Sequence, residues 1–203
     1  MKKLILIVLP LMVMFSAFAE GELTKAEKKM LSKHMKSSVK ALSKSVKGLS
    51  DAQVNFKPDA NSWSIKECVY HLALSEDNLW GWMQGLMATP ANPEKRSLIK
   101  MTNEQLMAAV GSRDHKVKTG EAFEPVKAKW NNLQEALDYL KGKRAEHAGF
   151  IKNATSDMHN HVAEQSPVGP IDAFQIIVLL SAHTDRHRKQ LEEVKTVAGY
   201  PAM

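Results

Sequence analysis

The feature that most constrains this chain is its apolar spacing. From residue 25 onward, apolar side chains recur three and four positions apart over long stretches, and no convincing run alternates with the period of two that a half-buried strand requires. The first stretch covers residues 25–48, with Leu31, Met35, Leu42, Val46 and Leu49 on one stripe. It opens at Thr24-Lys25-Ala26-Glu27, a capping box in which threonine and glutamate satisfy each other's orphaned backbone donors. A second box, Ser64-Ile65-Lys66-Glu67, starts a helix that runs to about residue 87, with Ile65, Leu72, Leu79, Met83 and Leu86 inward. Trp63 and Cys68 flank that start at the positions of a hydrophobic staple. A third helix spans residues 133–153, carrying Leu133, Leu137, Leu140, His147 and Ile151 on one side. The fourth begins at Asp172, an N-cap with Gln175 three residues on, and stops before Gly199 and Pro201.

The connections differ in length. Residues 51–61 read as a loop around Pro58, Asp59 and Asn61, and the loop before the last helix ends in Pro167-Val168-Gly169-Pro170. Residues 88–131 are far less legible. They hold a short helix over 102–110 with a Thr102-x-x-Gln105 start, then a polar, irregular stretch over 111–125 that reads as a crossover. Four helices of twenty-odd residues with one long crossover before helix three predict an all-α four-helix bundle, in one domain over residues 20–203.

The N-terminus has its own pattern. Met1-Lys2-Lys3 is basic, residues 4–19 are uncharged and apolar but broken by Pro10, and Ala17-Phe18-Ala19 offers small residues at both cleavage positions. The run is shorter than the roughly 20 residues that span a bilayer. It reads as a cleavable signal peptide over residues 1–19, which implies a periplasmic or secreted protein without a stable membrane anchor. No cysteine lies near the cut, which excludes lipid anchoring there. Losing Lys2 and Lys3 lowers the formal charge from +6 to +4. The remaining lysines, among them Lys28, Lys29, Lys33, Lys36 and Lys40, are spread along a helix as a solvated face, so nucleic acid is not an expected partner.

The single cysteine excludes an intramolecular disulfide, a multi-cysteine zinc site and an iron–sulfur cluster. Eight histidines remain, unevenly placed. On helix four the inward stripe is Ile176, Leu180, His183, His187, Leu191 and Val194, so two imidazoles occupy consecutive core positions. Each polar atom left unsatisfied there costs about 1–3 kcal/mol. A shared zinc, nickel, copper or iron ion would relieve this, since neutral imidazole is a good ligand for each. A third ligand must come from another helix. His71 on helix two is the first candidate and His147 on helix three the second. His34 and His115 sit among lysines, and His159-Asn160-His161 reads as a solvated loop. Cys68 reads as a small packed hydrophobe rather than a ligand or nucleophile. No His-Glu-x-x-His, Gly-x-x-x-x-Gly-Lys or Gly-x-Ser-x-Gly occurs, and no glutamate stands three residues before a histidine as in di-iron bundles.

Residues 61–72, Asn-Ser-Trp-Ser-Ile-Lys-Glu-Cys-Val-Tyr-His-Leu, resemble the Trp-Ser-x-x-Glu-x-x-x-His-Leu segment of the DinB-like (DinB/YfiT) superfamily. Val168-Gly169-Pro170 through His183-Thr184-Asp185-Arg186-His187 and Gln190 resemble that family's last helix. The resemblance implies an up-down-down-up bundle and a divalent metal ion held by His71, His183 and His187. Family members with known activities include thiol-dependent transferases and a thiol-dependent isomerase, while many others have no assigned reaction and some have lost the ligands. Around those ligands, Glu67 and Gln190 are candidates for supporting roles and Arg144 for binding an anionic substrate group. Three readings follow. The first is a metal-dependent hydrolase or thiol transferase acting on a small molecule, with export weighing against a thiol cosubstrate. The second is a non-catalytic bundle that binds an ion or a small ligand. The third is a structural bundle whose histidines only hydrogen-bond. Bundle faces of this kind could also pair into a homodimer.

Overall fold

The computed structural model describes residues 21–115, 117–154 and 157–202. The N-terminal segment 1–19, read above as a signal peptide, lies outside the described residues. Six α-helices are present among them: α1 (Lys25–Val46), α2 (Asp51–Asn55), α3 (Ile65–Met87), α4 (Asn103–Gly111), α5 (Leu133–Asn153) and α6 (Ala173–Lys195). Each begins where a side chain replaces the missing backbone acceptor. Thr24, Ser50, Ser64 and Thr102 form full capping boxes, while Asn132 and Asp172 accept from the backbone N–H three residues on. The first helix stops at Val46, before Gly48, whose φ of 77° turns the chain.

Two loop expectations need correction. Residues 51–55 are helical, because Ser50 and Gln53 close a capping box and Gln53 Nε2 donates to the Pro201 carbonyl at 3.1 Å. The segment around His159 is not solvated. A short antiparallel bridge, β1 (Val162–Ala163) with β2 (Ile171–Asp172), folds it over the end of the bundle. His159 there lies 2.8 Å from Asp172 and 3.1 Å from Glu27, and buried His161 lies 3.2 Å from the Leu86 carbonyl. Burial alone would lower the His159 pKa, but the hydrogen bond and charge of Asp172, with Glu27, outweigh it and raise it.

The bundle consists of α1, α3, α5 and α6. Helices α1 and α3 each pack between α5 and α6 and so face each other across the diagonal. Side-chain meetings set the directions. Tyr139 bonds Asp77 while Phe150 meets Trp80, so α5 runs parallel to α3. Lys195 reaches the Ser45 carbonyl, so α6 runs with α1. Near one end His71 meets His187, and near the other Leu86 meets His161 just ahead of α6, so α3 and α6 are antiparallel. The result is up-down-down-up. Because α3 and α5 run in the same direction, the connection between them has to travel the length of the bundle. It does so as the crossover, with α4 laid against α6.

Apolar side chains form two clusters rather than one. The first gathers Leu31, Met35, Trp80, Met83, Ile151 and the early residues of α6; the second gathers Leu42, Val46, Ile65, Leu72, Leu137, Leu140, Leu191 and Val194. Between them every bundle helix contributes a buried polar group: Ser38, Glu76, Arg144 with His147, and Thr184. Arg144 is 2% exposed; its Nε donates to Glu76, Nη1 to Ser38 at 3.1 Å, and Nη2 to Thr184 at 2.7 Å and the Leu180 carbonyl at 3.1 Å. One side chain thus joins all four helices. No described helix is long and apolar enough to cross a membrane.

Breaking a buried pair leaves the other charge uncompensated, at a cost of about 3–5 kcal/mol. Arg144→Met is expected to lose that much stability in urea denaturation, and the double variant Arg144→Met with Glu76→Leu to lose clearly less.

Candidate metal centre

His71 stands on the second turn of α3, and His183 and His187 stand one turn apart around the middle of α6. The antiparallel packing of these helices aims all three rings at one point. One ligand atom from each lies within 4.8 Å of the others, and no other such group of three occurs among the described residues. His183 Nε2 is 3.1 Å from His71 Nε2 and 3.0 Å from His187 Nε2. The Ser75 hydroxyl lies 3.5 Å from His71 Nε2.

The outer nitrogens decide the tautomers. His71 Nδ1 donates to the Phe123 carbonyl at 2.7 Å, and His187 Nδ1 donates to Gln190 Oε1 at 2.8 Å. Both partners are oxygen acceptors, so each Nδ1 holds the proton and each Nε2 turns a lone pair inward. His183 can donate from Nε2 to only one of them. Its own Nδ1 is buried without a partner among the described residues. Three neutral imidazoles in this arrangement cannot satisfy one another, whereas a cation satisfies all three inner nitrogens together. Nitrogens bound to one tetrahedral zinc stand about 3.3 Å apart, close to the separations seen here. The residues fit a divalent ion, and imidazole chemistry accommodates zinc, nickel, copper or iron.

Residues 35–191 match the DinB superfamily. The chain belongs to that superfamily. Among its relatives is the uncharacterized protein YuaE of Bacillus subtilis, 24% identical over 152 residues, a stretch covering 74% of this chain and 88% of that one. Among solved structures, it is similar to YfiT from Bacillus subtilis, described as a probable metal-dependent hydrolase with an unusual four-helix bundle topology. That similarity has a TM-score of 0.59 and 15% identity, covering 88% of this chain and 91% of YfiT, and shows the shared fold.

In this DinB-superfamily chain the surroundings of the histidines are apolar on one side and tethered on the other. The Trp63 ring sits 4.8 Å from His71 and 5.9 Å from His187, centroid to centroid, so this residue lies against the imidazoles. The crossover also lies against the cluster. It bonds α3 through the Phe123 carbonyl and α6 through the His115 carbonyl, which accepts from Arg186. Burial holds the His71 pKa down at about 4, although its bond to Phe123 opposes this. The His183 and His187 values are also held well below the ordinary value, first by burial and then by the neighbouring rings. All three rings are therefore neutral at neutral pH, the form that binds a metal.

Three sequence candidates have other roles. His147 is no part of the cluster: it stacks on Trp80 at 3.7 Å and bonds Glu76 at 2.8 Å, because its position on α5 faces the polar layer. Arg144 is committed to that same layer rather than to a substrate anion. Glu67 closes its capping box, accepting from the Ser64 backbone at 2.7 Å and pairing with Lys57 at 3.0 Å. Gln190 touches a histidine of the cluster directly. Cys68 is buried, and burial pushes its thiol up to about 12, which leaves it inert at neutral pH. Glu76 and Phe123 were not legible as contributors. Glu76 had only its place on the inward face of α3 as a signal, and a backbone carbonyl has none.

The depressed histidines carry a pH signature in metal-free protein. Histidine in the unfolded chain takes up protons near pH 6.5, while these folded rings resist down to lower pH. Their contribution to stability is complete above 6.5 and declines as pH falls. His159, shifted upward, keeps its contribution throughout that acid range and loses it only as pH rises through its raised value. The melting temperature of metal-free protein is expected to fall between pH 6.5 and 5, before Glu27 and Glu67 begin to protonate, with a shallower fall in His71→Gln.

Proposed function

We propose that this chain is an exported, metal-dependent hydrolase of a small-molecule substrate, with His71, His183 and His187 holding one divalent ion. The observation that carries the reading is the convergence of nitrogen lone pairs fixed by the outer bonds to Phe123 and Gln190. A divalent ion held by three histidines keeps a position free for substrate or water, polarises a carbonyl or phosphoryl oxygen and activates water. The chain's own residues do the rest. His71 and His187 are held in the ligating tautomer, Trp63 presents an aromatic wall beside them, and the crossover limits access of bulk water from its side. The description of YfiT supports hydrolysis as the reaction class. Export, read from residues 1–19, favours hydrolysis over thiol transfer, because small thiols are scarce in an oxidising compartment.

The test begins with metal analysis of protein purified without a histidine tag. One divalent ion per chain is expected, lost in His183→Ala and His71→Ala, and added zinc or nickel should raise the melting temperature of stripped protein. Metal-free protein whose stability ignores both ions would overturn the reading. Turnover of ester, amide or phosphoester substrates that disappears with a chelator and in His71→Ala is expected. Stoichiometric metal without turnover on any of them would favour a bundle that stores the ion. Export is tested by N-terminal sequencing, which should find Glu20 first in the extracytoplasmic fraction.

A further inference from the structure

We propose that Arg113 is a positioning residue for the metal centre, setting the tautomer of His187 by fixing which end of the Gln190 amide faces it. The inference rests on the metal reading above and concerns a residue that ligates nothing. A glutamine amide can present either its oxygen or its NH2 group. If the oxygen faces His187, Nδ1 keeps the proton and Nε2 is free to ligate. With the NH2 group turned toward the ring, Nδ1 would have to accept, the proton would move to Nε2, and ligation would be blocked.

His187 alone cannot decide between these, because neutral imidazole adapts to either. The decision has to come from a group with one fixed polarity. A guanidinium is such a group, since it donates and never accepts. Arg113 Nη1 donates to the same Gln190 Oε1 at 3.4 Å, so the oxygen receives both His187 Nδ1–H and Arg113. Turning the amide would set its NH2 group against the guanidinium. Arg113 is itself held. Its Nη2 donates to Glu193 at 2.8 Å and its Nε to the same carboxylate at 3.1 and 3.3 Å, a fork with two parallel arms. His187, Gln190 and Glu193 rise along one face of α6 three residues apart, and Arg113 reaches them from the start of the crossover just after α4. The chain of cause runs from Glu193 through Arg113 and Gln190 to His187.

The consequence opposes simple electrostatics. Removing a positive charge near a cation site should tighten cation binding by Coulomb's law. If Arg113 acts through the amide, its removal should weaken binding instead.

The experiment measures zinc and nickel affinity by competition with a chromophoric chelator, in the full chain. It compares the parent, Arg113→Ala, Arg113→Lys, Gln190→Glu and the double variant Arg113→Ala/Gln190→Glu, each checked for an unchanged metal-free melting profile. Arg113→Ala is expected to lose about tenfold, the low end for groups that support a ligating histidine. Arg113→Lys, still donor-only, should stay close to the parent. A carboxylate at position 190 accepts at either oxygen and needs no orientation, so Arg113→Ala should cost nothing in the Gln190→Glu background. Imidazole nitrogen NMR of metal-free protein should show the His187 proton on Nδ1 in the parent and a shift toward Nε2 in Arg113→Ala.

Unchanged or tighter binding in Arg113→Ala overturns the inference while leaving the metal centre standing, and so does an equal loss in both backgrounds. A parent that binds neither ion removes the metal reading and this inference with it.

Discussion

The Arg144 guanidinium is the interaction on which the rest of the molecule depends. It belongs to α5, pairs with Glu76 on α3, donates to Ser38 on α1 and closes on Thr184 and the Leu180 carbonyl of α6. A charge buried this deeply is tolerated only when its hydrogen-bonding groups are largely engaged, and partners on three other helices meet that demand together. Apolar contacts between helices can slide by a turn at modest cost. A five-donor group with fixed partners cannot, so it sets the axial register of all four helices. Glu76 extends the layer to His147, which Trp80 covers face to face.

Register fixed at mid-bundle places the histidines. His71 lies five residues before Glu76 on α3, and His183 flanks Thr184 on α6. Locking Glu76 and Thr184 to the same Arg144 therefore brings His71 level with His183 and His187 near one end of the layer. The diagonal placement of α1 and α3 matters equally. It leaves α3 and α6 in contact along their length and forces the connection from α3 to α5 to pass beside them. That connection supplies Phe123 and Arg113, which hold the outer sides of the cluster. The outer support thus draws on the irregular part of the chain through Phe123 and on α6 itself through Gln190, while the inner nitrogens all come from the regular part.

Much of the fold was legible because it rests on local rules. The capping boxes at Thr24, Ser64 and Thr102, with the 3.6-residue periodicity, fixed where the helices begin. The missed helix at 51–55 is too short to show periodicity, and only Ser50 and Gln53 marked it. The inward pair on helix four was legible from spacing alone, and His71 from its place beside the inward stripe of helix two as well as from its motif. His147 was placed on the inward stripe of helix three and Arg144 was read as an anion-binding candidate, but their common partner Glu76 was not seen. A carboxylate on a core face looks like an error until the opposing arginine, 68 residues away, is placed beside it. The contributions of Phe123 and Arg113 depend on the path of the crossover, where residue type carries little information about direction. His159 and His161 were read as solvated because neighbouring imidazoles two apart splay. A two-residue bridge drew both in against the bundle end.

The separation of His71 from His183 has a consequence for the order of assembly. The two are 112 residues apart, and His187 lies four further on. Until α6 docks, α3 presents one imidazole, which binds a divalent ion only weakly. The three-nitrogen cluster comes into being only when α3 and α6 are brought together across that separation, a long loop to close. An ion bound by all three nitrogens would therefore favour the docked arrangement of α3 and α6 over states in which the two helices are apart.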